Sequence, residues 1–255
     1  PSKFMQNTTE QIIKKEKFKG RLRSKKPKSL IKKDGKDDLD VFFLALALIY
    51  NDMKDIVLFQ VLLNERYEAA GPKIDVHDGE FAGINIHIIR IFSGLIEEFL
   101  NFLNKNNAVV ESKEFLDLLN ELPEEAKKIW QYLIDISNMK KGPENPTNYA
   151  LMRIRGNITY HYEDAGKNLR IGFIERFHNK NKDKILKNDA AYYSLEDEME
   201  TTRFYYADAA AEEYMKEVSD GWDDYRNDIN ALVDTMNHSF YWLMKVYLKS
   251  MPDDK

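Results

Sequence analysis

The chain has 255 residues, 32% of them charged and none of them cysteine; this length serves one large domain or two small ones and buries about three quarters of the surface that the unfolded chain exposes. Without cysteine there are no disulfides, zinc–thiolate sites, iron–sulfur clusters or thiol nucleophiles, and a reducing, cytoplasmic compartment is expected. The net charge of −5 conceals an asymmetry: residues 1–36 carry 13 Lys and Arg against 3 Asp and Glu, which leaves the remainder at about −15 and places any affinity for polyanions mainly in the N-terminal segment.

Pro1 to Lys28 contains no apolar stretch of signal-peptide length, so no secretory signal is expected. Lys14 to Lys36 lacks a sustained period and contains Gly20, Pro27 and Gly35. Residues 1–36 are therefore expected to be a loosely packed basic arm that either contacts a phosphate backbone or simply solubilises the chain. Residues 37–255 are expected to form one helical bundle domain.

Between Leu39 and Ala69 the residues Val41, Leu44, Leu48, Ile56, Phe59 and Leu63 recur near helical spacing and predict a long core helix, ended by Gly71-Pro72. The longest apolar run, Val41 to Tyr50, falls well short of the roughly 20 residues that span a bilayer, so no membrane partner is expected. A second long helix is predicted from about Glu80 to Asn106. A shorter one is predicted from Ser112 to Glu121, and another opens at Pro123 with Glu124 and Glu125 in its first turn and runs to about Asn138. Met139 to Pro146 is a predicted loop. A helix beginning after Asn145 carries Arg155 and His161 and ends near Asp164 to Gly166. Leu169 to Phe177 is ambiguous between a strand and a helical turn. Ser194, followed by Glu196, Asp197 and Glu198, starts a helix to about Val218. The last helix follows Gly221, with Trp222, Tyr225, Ile229, Leu232, Met236, Phe240 and Leu243 on one stripe. Helices joined by short loops predict an all-α fold, an antiparallel helical bundle of about six to seven helices.

The common phosphate-loop, dinucleotide, nucleophile-elbow and zinc-protease motifs are absent from the sequence. Asp52 and Asp55 would need Glu65 or Glu97 to hold a metal, and acids so spaced more often make a solvated helix face; no metal or cofactor is expected. His87 adjoins an apolar stripe and is expected to be a packed core histidine. The segment Arg155-Gly156-Asn157-Ile158-Thr159-Tyr160-His161-Tyr162 is chemically richer. It brings a permanent cation, an imidazole that titrates near neutrality and an amide within two turns. These groups suffice for metal-independent RNA cleavage, with an acid or base for the oxygens and a fixed charge for the phosphoryl group. On a regular helix Arg155 and His161 lie about 120° apart, while Arg153, Asn157 and His161 share a face, so Arg153 competes for the charge-stabilising role.

Arg155, five residues, then His161-Tyr162 on a helix of an all-helical chain resembles the R-x4-6-H motif of the HEPN superfamily. The resemblance covers about eight residues. It implies a helical bundle that dimerises and cleaves RNA, with arginine and histidine of two subunits meeting across the interface. On that basis His161 is the expected general acid or base, Arg155 or Arg153 the phosphate stabiliser, Asn157 an orienting amide and Tyr162 a supporting hydroxyl. The expected partners are RNA and a second copy of the chain, and the expected role is that of a toxin or defence effector. The alternative expectation is a non-catalytic helical module that binds a protein or RNA.

Overall fold

The structure is a computed structural model that describes residues 30, 38–68, 76–139, 146–159, 162–179, 193–194, 202–219 and 222–251. The basic arm expected over 1–36 therefore lies outside the described residues, apart from Leu30. Among the described residues the protein is all-α apart from one two-residue ladder. In chain order the helices are α1 (Asp38–Glu68), α2 (Val76–Lys105), the single turn α3 (Asn107–Val110), α4 (Lys113–Asn120), α5 (Glu124–Asn138), α6 (Pro146–Ile154), α7 (Tyr162–Ile174), α8 (Tyr205–Val218) and α9 (Trp222–Ser250). Two π-helical segments, Arg155–Thr159 and Glu175–Asn179, follow α6 and α7. β1 (Tyr193–Ser194) and β2 (Thr202–Arg203) pair antiparallel.

The chain divides into two compact units, one taking residues 1–58, 98–139 and 231–255, the other 59–97 and 140–230. Helices α1, α2 and α9 contribute segments to both. In the first unit the core is aromatic. Trp130 of α5 is fully buried, edge-on to Phe99 and Phe115 and stacked on Phe240 at 5.6 Å. Its indole N–H donates to the carbonyl of Ser239 at 3.1 Å, so the one polar atom it buries is satisfied. Phe43 of α1 stacks on Tyr247 of α9 at 3.8 Å, and the Tyr247 hydroxyl donates to Asp40 at 2.9 Å. Further along, Ala47 and Tyr50 meet Tyr241 and Met244 around a cavity of about 200 Å³. The two helices are therefore antiparallel here. Ser112 caps α4 by accepting from the N–H of Phe115 at 3.2 Å, as its position before the apolar run predicts.

In the second unit α7 and α8 approach to backbone contact at Gly172. A Cβ at that position would collide with the Ala210 carbonyl and the Tyr214 N–H, so only glycine fits without displacement. The alanine run Ala209 to Ala211, all buried, completes the close crossing. Arg203, at the end of β2, lies across Gly83 of α2 and pairs with Glu80 at 2.9 Å and Asp208 at 2.7 Å, which ties the ladder to α2 and α8.

Several boundaries differ from those expected. The α1 stripe is displaced: of the expected residues Leu63 is buried and Ile56 half-buried, but Val41, Leu44, Leu48 and Phe59 are exposed, and Phe42, Phe43, Leu46, Met53 and Val57 are buried instead. A helix apolar on several faces has no single stripe to read, and tertiary packing selects the buried one. Leu169–Phe177 is helical, the last turns of α7 and its π segment. Ser194 pairs with Thr202, so β2 interrupts the helix expected from Ser194 to about Val218, and α8 begins at Tyr205; residues 195–201 lie outside the described residues. The helix after Asn145 gives way to a π segment at Arg155, and a new helix, α7, starts at Tyr162 where an ending was expected near Asp164 to Gly166. The predicted α9 stripe is buried from Tyr225 to Leu243, while the side chain of Trp222 lies outside the described residues.

Candidate functional site

The Arg155 segment lies within the second unit. A π turn closes hydrogen bonds from i to i+5 and takes in one more residue than an α turn, so the 120° offset expected on a regular helix does not apply across Arg155–Thr159. The wider turn is supported from outside and from within. The Arg90 guanidinium of α2 donates to the Ile158 carbonyl, and the Thr159 hydroxyl lies 3.1 Å from the Ile154 carbonyl and 3.2 Å from that of Arg90. These side-chain contacts add to the backbone bonds of the π turn and tie it to α2. Ile158 and Thr159 are buried, which fixes the segment's inner face.

Arg153 and Asn157, one turn apart, converge on one group that sequence reading did not single out. The hydroxyl of Tyr214, itself 1% exposed, accepts from Asn157 Nδ2 at 2.6 Å and from Arg153 Nη2 at 3.4 Å. Arg153 also donates to the Tyr149 hydroxyl at 3.0 Å, with its guanidinium carbon 5.6 Å from the centre of that ring. The hydrogen bonds that Arg153 donates to both tyrosines hold its pKa above the ordinary value, with the bond to Tyr214 foremost. Arg155 is part-buried within the π segment. His161 and the side chain of Tyr162 lie outside the described residues. The structure therefore brings together Arg153, Asn157 and Tyr214, and gives Arg155 its backbone frame. The only signal for Tyr214 in the sequence is a lone tyrosine after the small residues 209–211 of a predicted helix.

His87 is not the packed core histidine expected. It is exposed one turn before Arg90 on α2. Partial burial of the ring lowers its pKa below the ordinary value; the neighbouring Arg90 and Arg203 lower it further, and Asp208 opposes them. The imidazole is thus predominantly neutral at pH 7. Elsewhere, Ser93 donates to the Ile89 carbonyl and shares a 2.7 Å hydrogen bond with Tyr225, whose hydroxyl pKa is raised by burial.

No cluster of three or more His, Asp or Glu suited to a metal occurs among the described residues. Asp52 and Asp55 are exposed, and Asp55 pairs with Lys54 at 3.5 Å. No helix among the described residues is long and apolar enough to cross a membrane. Comparison of the chain with known protein families, with curated proteins and with solved structures found no match.

Proposed function

We propose that the chain is a HEPN-like, metal-independent endoribonuclease that works as a homodimer, in the role of a toxin or defence effector. The observation that carries this reading is the departure from α-helical geometry at Arg155–Thr159, within the Arg-x5-His stretch. π turns occur frequently at functional sites, and this one is held by Arg90 and Thr159. In the proposed reaction the substrate's 2′-oxygen attacks its own phosphorus as the bond to the 5′-oxygen breaks, leaving a 2′,3′-cyclic phosphate. His161 takes the 2′-hydroxyl proton or gives one to the departing 5′-oxygen, with Tyr162 as a supporting hydroxyl. Arg155 stabilises the phosphoryl charge. Arg153 and Asn157, already engaged with Tyr214, hold the segment in place, so Arg155 is the preferred arginine.

Incubating the protein with mixed RNA in EDTA tests the reading. Cleavage is expected, falling about 10²- to 10⁴-fold in His161→Ala and about 10²- to 10³-fold in Arg155→Ala. Absence of cleavage, or cleavage unaffected by His161→Ala, overturns it.

The engagement of Arg153 and Asn157 by a buried tyrosine also favours a second reading, a non-catalytic helical module that binds a protein partner or RNA. That reading expects salt-sensitive RNA binding that disappears when residues 1–36 are removed and survives His161→Ala.

A further inference from the structure

Within the second unit a half-open cavity of about 350 Å³ is lined from α1, α2, α8 and α9 by residues that the proposed cleavage chemistry does not use. Its apolar lining is Phe81, Ala82 and the buried residues Ile86 and Ile89. Around it stand three carboxamides, Gln60, Asn85 and Asn230, each from a different helix. Asn85 donates Nδ2 to the Phe81 carbonyl at 2.8 Å; this fixes its amide plane and leaves its oxygen as an acceptor. The side chains of Gln60 and Asn230 each supply both a donor and an acceptor. The charged groups of the lining are one cation, Arg226, and one carboxylate, Glu212, whose Oε1 holds Lys216 at 2.7 Å.

This combination narrows the ligand. A purely apolar guest would desolvate three carboxamides without giving them partners. A bare anion would leave the apolar lining unused and would face Glu212. A planar heterocycle with donors and acceptors along its edge, carrying a phosphate, satisfies all three surfaces at once: ring against Phe81 and the isoleucines, edge to the amides and Glu212, phosphate to Arg226. The volume is at the lower end of the range for small-molecule sites and suits a single nucleotide rather than a larger cofactor. We infer that this cavity is a nucleotide-binding site that recognises the base through the carboxamides of Gln60, Asn85 and Asn230 and the phosphate through Arg226. The shared chemistry is one base with its phosphate, supplied either by a free nucleotide or by one residue of an RNA strand. The inference stands whether or not the Arg155 segment cleaves RNA.

The test is calorimetric titration of the full chain with each of the four nucleoside 5′-monophosphates, with ribose 5-phosphate in parallel. Saturable binding of at least one nucleotide is expected, with no binding of ribose 5-phosphate at the same concentrations. Asn85→Leu and Asn230→Leu, each checked for an unchanged melting transition, are expected to weaken binding about tenfold. Arg226→Gln, at an exposed position, should weaken nucleotide binding while leaving any binding of the uncharged nucleoside unchanged, and it keeps the test decisive if a leucine variant fails to fold. Displacement of the bound nucleotide by a trinucleotide of at least tenfold higher affinity assigns the site to RNA, and failure to displace it assigns the site to free nucleotide. Lack of saturable binding by all four nucleotides, or binding indifferent to Arg226→Gln and to the folded leucine variants, overturns the inference.

Discussion

Trp130 in the first unit and Tyr214 in the second are both almost wholly buried, yet they are used differently. Around Trp130 the contacts are ring against ring, with Phe99, Phe115 and Phe240, and its N–H serves only to satisfy one carbonyl. Around Tyr214 the hydroxyl is the organising atom, and it gathers an arginine from α6 and an amide from the π turn itself. Aromatic packing tolerates small adjustments of angle because its energy is spread over many weak contacts. A hydroxyl that accepts two donors fixes those donors within a few tenths of an ångström and leaves them stranded when it is lost. The first arrangement supports stability, and the second supports position.

Truncation at each centre tests that contrast. Trp130→Ala removes the ring around which Phe99, Phe115 and Phe240 meet and should cost about 3–5 kcal/mol of stability, read as a lower urea midpoint. A loss below about 1 kcal/mol would mean that the aromatic cluster is not the principal source of stability in its unit. Gly172→Ala should cost about 1–3 kcal/mol, because the new methyl meets the backbone of Ala210 and Tyr214 rather than a movable side chain. Tyr214→Phe keeps the ring and removes only the acceptor. It should cost about 1–3 kcal/mol, and it should also raise hydrogen exchange in the backbone of Arg155–Thr159 if the network holds that segment. Unchanged exchange there would assign Tyr214 to packing alone.

The same contrast explains what the sequence disclosed. In α9, apolar residues recur every three or four positions and most of the positions between them up to Ser239 are polar, so the buried stripe from Tyr225 to Leu243 could be read directly. In α1 the run Val41 to Tyr50 offers apolar side chains on several faces, and only packing decides that Phe42, Phe43 and Leu46 go inward while Val41, Leu44 and Leu48 stay out. The Arg155 segment was visible as chemistry. Its π geometry was not, because that depends on Arg90, more than sixty residues away in sequence, reaching the Ile158 carbonyl. Tyr214 was missed for the same reason: its hydroxyl matters only through partners on α6 and the π segment. The Gly172 crossing left a trace that can be read afterwards, a glycine in one helix and three consecutive alanines in the next.

The smallest expected effect is electrostatic and concerns His87. Its pKa is depressed by partial burial first and then by Arg90 and Arg203. In the unfolded chain the imidazole binds a proton below about pH 6.5, so between that value and the lower folded pKa the unfolded state holds more protons. Whatever stability His87 contributes is therefore fully present above pH 6.5 and is lost as pH falls toward the folded pKa. Proton NMR titration of the ring should give a midpoint below that of a histidine in a short peptide under the same conditions. Arg90→Gln should move the midpoint upward only part of the way, because burial persists, and added salt should do the same by screening both arginines. A wild-type midpoint at the peptide value, or one that Arg90→Gln leaves in place, would show that partial burial and Arg90 on α2 do not depress the His87 pKa.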